Sequence, residues 1–227
     1  MSPAPRQTQV IEIISRGARA SNIALERVAL LRLGRYVEML ARWSKVYNLT
    51  SVRQPLAIAR THVLDSLAVE PHLQPPDILD IGTGAGLPGL VLAIARPELK
   101  FVLLDSRSKR TRFCLQVVGE LGLKNVCVVC ERAQAYESTT GFSCLVSRAS
   151  FDVDQIVALG QRLVRPGGRV ISMQGRRPAF DGSRLKHLGL GAEVVPLRIH
   201  GLAGARHLLV VDLPQNIDAH TTRAVAQ

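Results

Sequence analysis

The sequence predicts an α/β fold: a seven-stranded, mostly parallel sheet that ends in an antiparallel hairpin, behind an N-terminal helical extension. Three observations carry this. From residue 77 onward, short apolar runs alternate with helical patterns, and strand–helix alternation means parallel strands joined by right-handed crossovers. Only residues 201–205 separate the last two apolar runs, too few for a helical crossover, so those strands should pair antiparallel. From about Ile23 to Pro75 and Pro76 the apolar period is helical. The chain of 227 residues is long enough to bury a large core.

Taken in order, residues 1–22 show no firm pattern and are expected to be a flexible segment. Residues 23–74 form the helical extension. Leu33, Tyr36, Val37, Leu40, Trp43 and Tyr47 recur at spacings of three and four and make one apolar face; Asn48 ends that helix. A second helical stretch covers about 54–73, and Pro71, Pro75 and Pro76 break it. The main domain spans 75–212. Its strands are expected at 77–82, 100–105, 126–130, 143–147, 168–173, 192–198 and 206–212. Helices are expected between them at about 87–95, 107–121, 151–163 and 180–188. Residues 213–227 are polar and expected to be a disordered tail.

The first strand runs into a glycine loop. Asp80 is followed by glycines at 82, 84 and 86, then by Leu87, Pro88 and a helical pattern. Glycine lets bare backbone approach a ligand and tolerates positive φ, and Pro88 suits the first turn of a helix. A dinucleotide fold wants G-x-G-x-x-G, which would put glycine where Leu87 stands. The spacing present resembles the first motif of S-adenosylmethionine (SAM) dependent methyltransferases. A parallel sheet finishing in an antiparallel hairpin is likewise what the class I SAM-dependent methyltransferase (Rossmann-like) fold looks like.

Ligands of open α/β sheets bind beyond the carboxyl ends of the strands, at the switch point of strand order. The residues just past each strand are therefore the candidates. The first strand offers Asp80 and the loop of Gly82, Gly84, Gly86 and Leu87, whose N–H groups at a helix start attract an anion such as the methionine carboxylate. The second ends at Asp105, placed to accept the ribose hydroxyls, or to cap the helix that follows. After the third come Ala133 and Gln134, placed to contact the adenine. After the fourth comes Arg148, facing the transferred methyl group and the leading active-site residue.

Charge points to the partner. Lys and Arg exceed Asp and Glu by 29 to 18, a net +11. The excess is clustered in residues 1–35, 100–132 and 160–210, while 36–99 is close to neutral. Clustered Arg of this kind is the electrostatic footprint of a nucleic-acid partner, and no basic amphipathic membrane helix stands out. Cysteines fall at 114, 127, 130 and 144. Cys127 and Cys130 lie inside an apolar strand pattern, and no second pair completes a zinc site, so all four are expected to be core thiols and no metal is expected. There is no 18-residue apolar run and no signal-like segment, so a soluble cytoplasmic protein is expected, and a monomer because no coiled-coil pattern appears.

Six segments run in order across about residues 33–212: Tyr47-Asn-Leu-Thr-Ser-Val, His62-Val-Leu-Asp-Ser, Asp80-Ile-Gly-Thr-Gly-Ala-Gly-Leu-Pro-Gly, Leu103-Leu-Asp-Ser with Lys109 and Arg110, Ser147-Arg-Ala, and Arg206-His-Leu. Together they resemble the bacterial 16S ribosomal RNA guanine-N7 methyltransferase family, also called glucose-inhibited division protein B. The resemblance implies methyl transfer from SAM to N7 of a guanine in 16S rRNA (guanine 527), with 16S rRNA or the small ribosomal subunit as partner. It implies SAM contacts at Gly82, Leu87, Ala133, Gln134 and Arg148, and RNA-binding or catalytic roles for Lys109, Arg132 and Arg206. Arg148 and Arg132 are then the catalytic candidates, and Lys109, Arg110 and Arg206 the RNA-binding ones. One departure is Gln174, where many members of the family carry Lys; it is given no catalytic role.

Guanine N7 already carries a lone pair in the plane of the base, so no proton must be removed before it attacks. An in-line transfer then rests on proximity and alignment, which can supply roughly 7–11 kcal/mol. The competing readings are a SAM methyltransferase of a small molecule or protein, a non-catalytic RNA-binding protein, and a nicotinamide dehydrogenase.

Overall fold

The computed structural model describes residues 5–148, 151–178, 182–187, 189–202 and 204–215. Seven strands form one sheet: β1 (Asp77–Ile81), β2 (Lys100–Leu104), β3 (Val126–Val129), β4 (Phe142–Arg148), β5 (Val164–Gln174), β6 (Gly191–Leu197) and β7 (Arg206–Asp212). Their order is β3-β2-β1-β4-β5-β7-β6. The neighbours from β3 to β5 are parallel. β7 runs antiparallel to both β5 and β6, so the closing hairpin inserts its second strand beside β5. Each expected strand is present; β5 begins earlier than the expected 168.

β1 and β4 are central and buried on both faces, which is why they read as unbroken apolar runs. Helices α5 (Gly89–Ala95), α6 (Ser108–Leu121) and α7 (Val153–Leu163) are the crossovers, with α8 (Gly182–His187) ahead of β6. The expected helix at 180–188 is described over 182–187 only. α7 starts on a capping box: Asp152 Oδ1 accepts from Gln155 N at 2.8 Å, and the Gln155 side chain accepts from Asp152 N.

The extension consists of α1 (Pro5–Ala20), α2 (Arg27–Tyr47), α3 (Pro55–Ile58), a π-helical turn (Ala59–Val63) and α4 (Leu64–Leu67). It shares one core with the sheet: Val10, Ile14, Leu33, Tyr36 and Leu64 lie in the same apolar cluster as Ile78, Leu90, Phe101 and Phe113. The expectation of a flexible segment over 1–22 is therefore corrected for residues 5–20. Val10, Ile14 and Ala18, four apart, are buried on α1. Gly17 gives that helix a close seat, since a Cβ there would meet Leu64 Cδ1 at 2.4 Å. α2 ends at Asn48, in the left-handed region with φ 50°.

The cysteine expectation holds for Cys114 and Cys144, which are buried, and fails for Cys127 and Cys130, which are exposed. β3 is the edge of the sheet, so part of an apolar-looking strand faces solvent. Of the expected tail, residues 213–215 are held: Leu213 N donates to Gly168 O and Gly167 N to Pro214 O, both at 2.9 Å. The rest of the tail lies outside the described residues.

Candidate active site

The glycine loop leaves β1 at the switch point, between β2 and β4. Gly82, Gly84 and Gly86 have φ of 66°, 59° and 81°, values a side chain rarely tolerates. Asp80 lies beneath the loop, fully buried. Its Oδ2 accepts from Thr83 Oγ1 at 2.6 Å and from Gly89 N at 2.8 Å, so the carboxylate pins both ends of the turn. Burial pushes its pKa up to about 7, against the pull of those two donors and of Arg148. α2 braces the loop from outside, where Tyr36 Oη donates to Ala85 O at 2.8 Å.

Much of the loop's hydrogen bonding turns inward. Gly86 N and Leu87 N both donate to Thr83 O at 2.9 Å, and Gly84 N donates to Asp105 Oδ2 at 2.9 Å. The Leu87 side chain is in the core. Asp80, Gly84, Gly86 and Leu87, expected to bind the cofactor, engage these groups within the protein. They shape the turn, while Gly82 lines the cleft beside it.

That cleft has a volume of about 760 Å³ and runs along the ends of β1, β2 and β3. Gly82, Asp105, Arg107, Arg110, Arg132, Ala133 and Gln134 are among its walls. Asp105 is nearly buried and takes Gly84 N and Arg110 Nη1 (3.2 Å) on Oδ2 and Arg107 N (2.9 Å) on Oδ1. Arg110, expected to bind RNA, is therefore part of the cleft wall. Arg132 lies beside Ala133 and Gln134, away from Arg148, so the structure separates the two catalytic candidates. Arg162 of α7 carries no signal in the sequence pattern, yet it bears on the site. It donates to Ala133 O and Tyr136 O, each at 2.5 Å, and clamps the turn that carries Ala133 and Gln134. A carboxylate at the end of β2, an apolar Phe151 wall and the bare backbone of Gly82 make a shape and donor set that SAM fits.

A second cavity, about 370 Å³, lies beyond β4 and β5. Its walls include His62, Asp65, Arg148, Gln174, Arg206 and His207. Arg206, expected on an RNA surface, is thus inside a cavity with Arg148. Asp65 stands between them, 3.9 Å from Arg148 Nη1 and 3.4 Å from Arg206 Nε. His62 comes from the π-helical turn. Its Nε2 is 2.7 Å from Thr50 Oγ1, and its Nδ1 is 3.0 Å from Thr61 O and 3.3 Å from Arg148 Nη1. Burial, then the Arg148 charge, lower its pKa to about 4, so the ring is neutral near pH 7. Gln174 Nε2 donates to Ser172 Oγ at 2.8 Å. Lys109 is exposed on α6, outside both cavities.

The family model described as GidB: rRNA small subunit methyltransferase G matches residues 30–209. The chain belongs to this family. Among its relatives, the ribosomal RNA small subunit methyltransferase G of Xanthomonas oryzae pv. oryzae is 39% identical over 211 residues, 93% of this chain and 99% of the relative. The protein of the same name from Yersinia enterocolitica is 43% identical over 177 residues, 78% of this chain and 86% of the relative. In architecture the chain is similar to the O-methyltransferase TomG of Streptomyces achromogenes, solved in complex with SAM, with a TM-score of 0.57, 18% identity and coverage of 88% and 96%. The fold is that of the class I SAM-dependent methyltransferases.

Proposed function

We propose that this protein transfers the methyl group of SAM to N7 of a guanine in 16S ribosomal RNA, the guanine at 527 by family resemblance. The observation that carries this reading is a pair of neighbouring cavities at the strand ends, one suited to the cofactor and one walled by Arg148 and Arg206, in a chain of the GidB family.

SAM, when bound, supplies an electrophilic methyl group. The chain's part is to position. Asp105 keeps a lone pair on Oδ1 for a ribose hydroxyl, Arg162 holds the Ala133 and Gln134 turn, and Tyr36 and Asp80 hold the loop. No general base is required for a nitrogen that already presents a lone pair, and the groups at hand agree with that. Burial drives the Cys114 thiol far above its usual range, and His62 is set by its neighbours rather than by a substrate proton. Arg148 orients the base in the second cavity.

RNA as the substrate is supported by uncompensated charge around the site. Residues 39–64 and 106–119 contain no Asp or Glu. They carry exposed Arg42, Lys45, Arg53, Arg60, Lys109 and Arg112. α2 and α6 pack together, with Trp43 and Phe113 ring centroids 5.4 Å apart, so Arg42, Lys45, Lys109 and Arg112 lie on two adjoining helices. Transfer of tritiated methyl groups to small subunits, naked rRNA or protein tests the proposal, with N7-methylguanine mapped in the product. Label in rRNA at guanine N7 is expected; label only in protein or in a small molecule overturns the reading.

A further inference from the structure

The second cavity holds an acid that methyl transfer does not obviously require. Asp65, on α4, has a side chain only 8% exposed, yet it lines the cavity. Its two oxygens face two guanidinium groups from different strands, Oδ2 toward Arg148 of β4 and Oδ1 toward Arg206 of β7. The Arg206 contact is an ion pair without good hydrogen-bond alignment. The Asp65 carboxylate is the one acidic group on the walls of this cavity among the described residues.

The chemistry explains why an acid belongs there. A guanine methylated at N7 is a cation, so positive charge moves onto the base as the N–C bond forms and the C–S bond breaks. Two arginines alone would oppose that movement. We propose that Asp65 is a positioning residue for the reaction: it fixes Arg148 and Arg206 relative to each other and offsets their charge as the base becomes cationic. This inference rests on the guanine-N7 reading.

The groups around Asp65 are Arg148 from β4, Arg206 and His207 from β7, His62 from the π-helical turn, and the uncharged Met173 and Gln174 from β5. Tyr36 and Asp80 also feel the Arg148 charge. His62 can pair as either neutral tautomer and stays uncharged above about pH 4. Burial raises Asp65 from its ordinary value, more than the two guanidiniums pull it down. It therefore takes up a proton at higher pH than a free aspartate does, and turnover should fall with it.

The test is the pH profile of kcat for methylation of small subunits, with N7-methylguanine measured in the product. Asp65→Asn should lower kcat about tenfold or more with KM for SAM changed less than about threefold, and should remove the acid limb due to this group. Asp65→Glu should restore part of the rate. Arg206→Gln takes one cation away from Asp65 and should move the acid limb to higher pH; it reads the same coupling if the Asn variant fails to fold. Acid limbs unchanged in Arg206→Gln and in every folded Asp65 variant, with kcat retained, would overturn the inference. A wild-type enzyme that makes no N7-methylguanine would instead overturn the guanine-N7 function itself.

Discussion

Asp80 shows how much one side chain in the loop has to do. Its pKa of about 7 lies well above that of an exposed aspartate, near 3.9. Between those values the unfolded chain releases the proton and the folded chain keeps it. This contribution to stability is complete below about pH 4 and is lost as pH rises through about 7. The ceiling on the loss is about 4 kcal/mol. Asp80→Asn keeps an acceptor for Gly89 N and Thr83 Oγ1 and cannot ionise. In thermal melts its stability should gain on the wild type between pH 5 and pH 8; parallel curves would refute the assignment. Arg148 makes a second residue-scale prediction. Arg148→Ala should cut methylation by two orders of magnitude or more while circular dichroism and SAM binding, read by calorimetry, stay near wild type. Near-normal turnover would remove Arg148 from the mechanism. Arg148 and Asp105 are legible in the sequence because strand ends are legible. The roles of His62, Asp65 and Arg162 are not, since each acts through a partner at least 26 positions away in the chain.

At the scale of elements, the crossover helix α7 does more than cover the sheet. Its Arg162 spans the gap to the turn after β3 and satisfies two carbonyls there. Charge-assisted bonds of this kind are worth about 1.5–3 kcal/mol each in favourable settings. Arg162→Ala should raise the dissociation constant for SAM about tenfold or more with kcat at saturation little changed, and Arg162→Lys should recover only part, because Lys lacks the planar fork. An unaltered SAM affinity would show that the turn holds itself. The elements also show where sequence patterning stops. Alternation locates every strand, but the neighbours of a strand are not written in its own residues, and so the exposed edge at β3, with the exposed thiols of Cys127 in it and Cys130 just past it, escapes it. α1 escapes it for a related reason. Its buried face is narrow, Val10, Ile14, Gly17 and Ala18 with Ile13 half-buried beside them, and it becomes a packing surface only against the rest of the extension.

For the molecule as a whole, charge and shape converge on one side. Cations of α2 and α6 flank the glycine loop that both helices approach: Tyr36 reaches Ala85, and Cys114 Sγ lies 3.6 Å from Gly84 O. Phosphate contacts of this kind release counterions, so affinity for rRNA should fall steeply with salt. Replacing Lys45, Lys109 and Arg112 by Gln should weaken rRNA binding and flatten the plot of log affinity against log salt by up to about 0.7–0.9 for each phosphate no longer neutralised. SAM binding should be unaffected. Equal slopes for the variant and the wild type, measured by filter binding, would place the RNA elsewhere. The hairpin at the end of the sheet adds a matter of order. β7 is the last strand of the sheet in chain order, yet it lies inside it between β5 and β6 and brings Arg206 into the second cavity. Every named wall of the cofactor cleft therefore precedes β7 in the chain, the strand that supplies Arg206 to the second cavity. A chain that stops short of Arg206 carries the named residues of the cofactor cleft but not a complete second cavity.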